Sequence, residues 1–500
     1  MRVIYLDIDS LRPDHMGCYG YRRPTTPRLD VLAAEGVRFN QYFCADSPCV
    51  PSRAALFSGR PGIRNGIVTH ENTPNGCHFR YGLDTRHRTA PTLAHRLADA
   101  GYQTVSFTSF ADRHQAGWFT FGFREFHIAS LKGGNEDAPE VNDRVVPWLN
   151  QHAKQDNWFL HLNYWDPHTL YTEPPEYMHA MARHPAPPWP DEAAIRTQQA
   201  DVGIRCASML WGNHPHDGFG KSRVPTMPDA ICNRADFEHM MNGYDGAIRY
   251  LDDQLAAVFD ELKRQGVWEE TAIIISADHG EAFGEMGQYM EHGSVSTSVH
   301  RLPLIVRWPG LTDAARGTSR DDLLLSTDLA PTIAEALGAS PPPGWPGRSF
   351  VDALKSSSTP VRRDPLVWTH GLHTRQRAVY DGQWLYVRTY EPGWHTYPPR
   401  MLFDLQADPH EEHDVAAMHP ERVREMDAHL LAWERTHVAA TGLPDPLRLA
   451  QNQPPKPPAA IEGVMSRLLG TARGNDADKL RAVRSAVEAG EYAPAPLDHA

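Results

Sequence analysis

Short apolar runs alternate with segments of helical period through the first two-thirds of the chain. The runs at 3–8, 103–109, 158–163, 271–276 and 302–306 are too short for ordinary helices, which predicts strands buried on both faces. Apolar residues at helical spacing over 27–35, 51–57, 90–100 and 244–265 predict helices between them. Gly101 stands just past the third of these, where a left-handed residue ends a helix. Strands alternating with helices predict an α/β fold with a largely parallel central sheet. The stretch 171–235 carries two proline-rich segments and little periodicity, so it is expected to be a long insertion shaping a substrate pocket.

Ser340-Pro341-Pro342-Pro343-Gly344-Trp345-Pro346-Gly347 punctuates the chain. Beyond it, strand patterns at 377–381, 383–388 and 401–404 precede a helix pattern at 420–436. The expected organisation is a large unit over 1–360, a small α+β domain with an antiparallel sheet over 361–445, and a tail over 446–500. The tail opens on a proline spacer at 454–458 and continues with an amphipathic stretch at 461–469 and a helical pattern near 477–489. It reads as an arm packing on a second copy in a homo-oligomer, or as a helix docked on its own domain.

Charge narrows the partners. With 49 basic against 62 acidic side chains and a net charge of -13, the chain repels phosphate backbones, which argues against a nucleic-acid partner. An anionic substrate must then meet a local basic pocket. Hydrophobic residues make up 41% of the chain, yet no run of about 18 apolar residues occurs, so no membrane association is expected. Six cysteines without a CxxC pair suggest neither a disulfide scaffold nor a paired zinc site. The N-terminus lacks a basic region followed by an apolar stretch, and a cytoplasmic location is the expectation.

The most informative segment is Cys49-Val50-Pro51-Ser52-Arg53. Pro51 suits a first helical turn and Gly59 a stop, so Cys49 falls at a helix N-terminus, where unpaired N–H groups attract an anion. Arg53 follows one turn later on the same side. Read from the residues, this is a nucleophile beside an oxyanion site, with a buried structural cysteine as the alternative. Asp9 and Asp278 each end an apolar run, and the carboxyl ends of strands are where open α/β sheets bind ligands. With His279 they could hold a divalent cation.

These residues resemble a known pattern. Cys49–Arg53, continued by Leu56-Phe57-Ser58-Gly59-Arg60, is similar to the signature of type I sulfatases of the alkaline phosphatase superfamily. Asp9-Ser10-Leu11-Arg12-Pro13-Asp14 and Ala277-Asp278-His279-Gly280-Glu281 resemble that family's two metal motifs. Ser326–Thr332 and Leu402–Leu405 with Asp408, Pro409 and Glu411 resemble further landmarks, so the likeness spans most of residues 1–436. It implies an alkaline-phosphatase-like α/β fold and hydrolysis of a sugar, aryl or alkyl sulfate. It further implies that a separate maturation enzyme converts Cys49 to formylglycine, whose hydrated aldehyde is the nucleophile, next to a metal on Asp9, residue 49, Asp278 and His279.

Among the remaining candidates, His168 resembles the family's substrate-binding histidine, and His292 stands roughly where many members have a lysine. Both are candidates for proton transfer to the leaving alcohol. His70 follows the nucleophile helix as a substrate-binding candidate or as part of a solvated loop, Asn72 resembles a polar pocket position, and Ser109 stands where the family carries a Gly-Lys-x-His element. Loss of that lysine's charge should weaken sulfate-oxygen binding unless Arg53, His168 and His292 suffice or Arg113 or His114 reaches in from the same loop. The chain also has Asp9-Ser10 for two consecutive acids and His279 for the usual Asn. One carboxylate fewer and one imidazole more suit manganese better than calcium, and resemble the phosphonate monoester hydrolase branch, which remains the alternative. Trp189, Trp211 and Trp394 are candidates for stacking on a sugar.

Overall fold

A computed structural model describes residues 1–70, 91–130, 132–201, 203, 205–208, 210, 227–228, 230–355, 363–393, 395–451, 482, 485, 486 and 489. Its centre is the strand Arg2–Ile8, buried along its whole length. This strand pairs in parallel with Trp158–Tyr164 on one side and Thr271–Ala277 on the other. The hydrogen-bonded path continues through Gln103–Phe107 to Glu125–His127 at one end, and through Arg301–Arg307 and Val37–Phe43 to Thr318–Arg320 at the other. Leu324–Leu325 pairs off Val37–Phe43 and completes nine strands.

The five expected apolar runs all lie in this sheet. Arg301–Arg307 runs antiparallel to both its neighbours, so the sheet is largely parallel, as the sequence pattern predicts. One strand differs from the sequence pattern. Val37–Phe43 was not expected as a strand because Arg38, Asn40 and Gln41 interrupt its apolar residues; the half-buried pattern is that of a position towards the sheet edge. Helices Pro27–Glu35, Ala138–His152 and Arg234–Gln265 pack together as one flanking group, and Cys49–Ser58, Leu93–Asp99 and Leu329–Ala336 as another.

The insertion is more ordered than its composition suggests. It contains helices Pro175–Met181 and Glu192–Gln198, the first packed on the long helix. That helix begins at Arg234 rather than near 244, because the Asn233 side chain accepts a hydrogen bond from Asp236 N–H and caps it.

The second sheet runs Arg400–Asp404, Trp384–Glu391, Arg375–Tyr380, Leu366–His370 and Asp46–Ser47. Its first four strands are antiparallel. The last, Asp46–Ser47, pairs in parallel with Thr369 and His370 and comes from the segment just before Cys49. The small α+β unit is therefore completed by the chain that presents the candidate nucleophile, rather than built from 361–445 alone. Helix Pro420–Thr441 covers this sheet. Fully buried Arg377 pairs with Glu434 and Asp445, both at 2.5 Å, on that helix and just beyond it. The expected boundary near 360 and the tail patterns at 454–458 and 461–469 lie outside the described residues. Among those described, no helix is long and apolar enough to cross a membrane.

Candidate active site

Asp9 and Asp278 follow directly on the adjacent parallel strands Arg2–Ile8 and Thr271–Ala277, so both carboxylates emerge at one sheet edge. Both are buried. The chain after Asp278-His279 needs glycine for a close backbone approach, since a Cβ on Gly280 would sit 2.1 Å from the Ser298 carbonyl oxygen. Helix Cys49–Ser58 is buried throughout and begins with Cys49 directly after Pro48, and its first turn meets the same edge, where the Ser52 hydroxyl donates to the Asp278 carbonyl at 2.6 Å.

Arg53 ties these pieces together. Its Nε–H donates to Asp7 Oδ2 at 2.7 Å, Nη1 to Asp278 Oδ2 at 2.6 Å, and both terminal nitrogens reach Asp9 Oδ2 at 3.2 Å. Asp7 also accepts from His161 Nε2 at 3.1 Å, and that ring is fixed by Ser106 Oγ at 2.9 Å from its Nδ1. Three buried carboxylates thus face one guanidinium, a deficit of positive charge that burial makes costly. Burial, opposed by Arg53 and reinforced by the neighbouring Asp9 and Asp7, pushes the Asp278 carboxyl well above its usual range. At Asp9 the opposing charges of Arg53 and nearby histidines outweigh burial and hold the carboxyl low.

His279 supplies the complementary donor. Its Nδ1–H donates to the Gly280 carbonyl at 2.9 Å, which fixes the tautomer and leaves the Nε2 lone pair free of that bond. Nε2 lies 3.1 Å from Cys49 Sγ, 3.3 Å from Asp278 Oδ2 and 3.8 Å from Asp9 Oδ1. Donor atoms of Asp9, Cys49, Asp278 and His279 all fall within 4.8 Å of one another. Carboxylates in excess of local positive charge and an imidazole with an oriented lone pair fit a divalent cation.

Burial, with Asp9 and Asp278 beside it, pushes the Cys49 thiol well above its ordinary value. Burial of this kind disfavours the thiolate form of an unmodified cysteine at this position.

His168 and His292 meet above this cluster, their rings 5.9 Å apart. They differ in charge. Burial takes His168 down to about 4 despite Asp9, and its Nδ1–H donates to the Thr169 carbonyl. His292 is also penalised by burial, but Glu291 and Glu281 outweigh this and hold it up at about 9. Its ring lies 4.2 Å from that of His279, with Nδ1 3.6 Å from Glu281 and Nε2 3.7 Å from Glu291. One histidine is thus a neutral acceptor and the other a cation at neutral pH.

The site opens into a cavity of about 810 Å³ lined by Cys49, His70, Arg113, His114, His168 and His292, among others. Arg113 and His114 reach it from the loop that lacks the lysine. Ser109 does not line it: its hydroxyl donates to Glu136 Oε2 at 2.8 Å and accepts from Trp165 Nε1 at 2.9 Å, a structural role in a buried network. Asn72, Trp211 and Trp394 lie outside the described residues. Trp189 lines a separate cavity and stacks on His410 at 4.0 Å, away from the catalytic cluster.

The sequence reading missed Asp7, Glu281 and Glu291. Asp7 was detectable, since residues two apart on a strand share a face and Asp7 stands two before Asp9. Trp165, Arg205 and His373 also line the cavity, and no local sequence pattern marks them.

The strand ends of a mostly parallel sheet thus gather carboxylates, imidazoles and an arginine around a helix N-terminus, the arrangement of an α/β enzyme site. The chain belongs to the sulfatase family: the family model described as Sulfatase matches residues 2–339, and the model for the C-terminal part of N-sulphoglucosamine sulphohydrolase matches 284–434. It is a sulfuric ester hydrolase by that membership. It is 25% identical to the multifunctional alkaline phosphatase superfamily protein PehA of Trinickia caryophylli, over 88% of this chain and 96% of the relative. A solved structure in complex with its substrate D-glucosamine-2-N,6-O-disulfate superposes with a TM-score of 0.70 at 17% identity, covering 89% of this chain and 99% of that one. Phosphonate monoester hydrolase of Agrobacterium radiobacter superposes with a TM-score of 0.65 at 20% identity, covering 87% and 96%.

Proposed function

We propose that this enzyme hydrolyses the sulfate ester of a sugar, aryl or alkyl alcohol after Cys49 has been converted to formylglycine by a maturation enzyme. The observation that carries this reading is the buried cluster of Arg53, Asp7, Asp9, Asp278 and His279 around the Cys49 sulfur. Asp9, Asp278, His279 and the side chain at 49 would hold one divalent cation, with manganese favoured over calcium by an imidazole and only two carboxylates in the donor set. Such a cation supplies Lewis-acid stabilisation of anionic oxygens and lowers the pKa of a bound hydroxyl. Formylglycine supplies a hydrated aldehyde as the attacking group.

The chain's own residues then divide the work. Arg53 fixes Asp9 and Asp278 while its charge, with the helix N-terminus, stabilises anion at position 49. His292 carries the proton that the leaving alkoxide needs, and Glu291 and Glu281 keep it charged. His168 offers a neutral acceptor to a hydroxyl in the cavity. Arg113, stacked 4.9 Å over Trp165, adds positive charge on the wall where the lysine is missing.

A phosphonate monoester or phosphodiester is the second reading, favoured by His279 in the metal set. Purified, mass-verified enzyme assayed on an aryl sulfate, a phosphodiester and a phosphonate monoester tests both. The highest kcat/KM on the sulfate is expected; a phosphorus ester turned over faster by tenfold or more would replace the sulfatase reading.

A further inference from the structure

Cys49 takes part in a second donor set. Its Sγ and ring nitrogens of His70 and His114 lie within 4.8 Å of one another. His114 is only 4% exposed, and among the described residues neither of its ring nitrogens finds a hydrogen-bond partner. Buried polar atoms without partners carry a standing desolvation cost, which a ligand on those atoms removes. The ring is wedged in place, with centroids 4.6 Å from His70 and 5.1 Å from Phe110. All three donor residues line the large cavity, so an ion has an entry path.

We propose that, while residue 49 is still cysteine, Cys49, His70 and His114 form a binding site for zinc or a similar transition-metal ion, with a fourth coordination position open to the cavity. The chemistry of the donors selects the ion. One sulfur and two imidazoles suit a borderline-soft cation, whereas Asp9 and Asp278 offer hard oxygens to the ion expected on the other side of Cys49. Tetrahedral zinc, with bonds of about 2.3 Å to sulfur and 2.0 Å to nitrogen, separates its donors by roughly 3.3–3.6 Å. Closing the present spacing to that value takes side-chain adjustment at the cavity wall. Binding replaces the thiol proton by the metal and releases that proton to solvent, with no change of oxidation state.

The site itself requires only the cysteine; its disappearance on maturation rests on the reading of residue 49 as a formylglycine precursor. Conversion removes the sulfur donor and leaves two imidazoles. The unconverted chain would then be a zinc binder with its catalytic cavity blocked, and the matured chain would not.

The test uses full-length protein made without the maturation enzyme, with Cys49 confirmed as unmodified by mass spectrometry. Zinc affinity is read by competition with a chromophoric chelator, and sulfur ligation by the thiolate-to-metal charge-transfer band of the cobalt form. The expected result is a thiolate band in the parent, loss of the band and at least about 100-fold weaker zinc binding in His114→Ala and His70→Ala, and retention of both in Asp278→Ala. His114→Phe, which keeps a ring and removes both nitrogens, serves if His114→Ala does not fold. No thiolate band in the folded parent overturns the proposal. So does a band that survives in the His114 variants and vanishes in Asp278→Ala, which would put the sulfur-bound ion on the carboxylate set. Neither result bears on whether the matured enzyme cleaves sulfate esters.

Discussion

Arg53 Nη1 lies 2.6 Å from Asp278 Oδ2, and the same guanidinium reaches back through Nε to Asp7 at 2.7 Å. The arginine from the nucleophile helix is therefore the bolt between two strand ends as well as a charge at position 49. A lysine has one ammonium and cannot bridge three carboxylates in this fork. Arg53→Lys is expected to lower kcat by about 100-fold or more while the protein stays folded, checked by steady-state kinetics alongside circular dichroism. Near-normal kcat in the variant would reduce Arg53 to a structural cation.

Asp278→Ala should abolish bound metal and activity together. The carboxylate follows the strand Thr271–Ala277 rather than packing in it, and burial already disfavours its charge, so truncation should not unfold the domain. Elemental analysis of purified wild type and variant measures this directly, and identifies manganese or calcium in the wild type. Full metal content in the folded variant would refute the assignment.

Cys49 is expected to appear as formylglycine in peptide mass spectra when the enzyme is made with its maturation partner. Cys49→Ser is expected to lose turnover, since a serine hydroxyl cannot be converted to the hydrated aldehyde by the same oxidation. Active enzyme from its native host carrying only unmodified cysteine would remove the proposed nucleophile.

How much of this was legible in sequence follows from what each feature depends on. The central strands were readable because double-sided burial demands long apolar runs, as in Thr271–Ala277. Val37–Phe43 was not, because a strand towards the sheet edge keeps Arg38 and Asn40. Cys49, Arg53, Asp9, Asp278 and His279 were legible through local spacing. Glu281 and Glu291 act by setting the charge of His292 across a turn, and Ser109 changed role because its partners Glu136 and Trp165 arrive from other segments. Such relations exist only once the chain is folded.

The segment before Cys49 is held by a buried relay. Leu372 and His373 N–H donate to His370 Nε2 at 3.3 Å, His370 Nδ1–H to Ser47 Oγ at 2.8 Å, Ser47 Oγ–H to His300 Nε2 at 2.9 Å, and His300 Nδ1–H to the Cys44 carbonyl at 3.0 Å. Burial, only partly offset by the Cys44 backbone, takes His300 down to about 3. Its folded pKa lies below the unfolded value near 6.5, so the unfolded chain binds the extra proton first. The stability His300 contributes is complete above about 6.5 and is lost as pH falls towards 3. Thermal melts of His300→Gln should therefore lie well below wild type at pH 8, with the gap narrowing by pH 5. A gap that widens on acidification would contradict a neutral His300.

The remaining prediction separates the two histidines over the cavity. His292 is held charged by Glu291 and Glu281, whereas His168 is neutral with its Nδ1 committed to the Thr169 carbonyl. Only the first has a proton to give. A general acid contributes roughly 10²–10⁴-fold when the departing oxygen is a poor leaving group, and little when a nitrophenolate departs unaided. His292→Gln is therefore expected to lose far more kcat/KM on an alkyl or sugar sulfate than on a nitrophenyl sulfate. His168→Gln, which keeps an acceptor, should lose less and should lose it equally on both, as a residue that only orients the bound ester does. The four kcat/KM values decide the assignment. Equal losses on both substrates in His292→Gln would leave it as a charge on the ester oxygens, and a leaving-group dependence confined to His168→Gln would exchange the two roles.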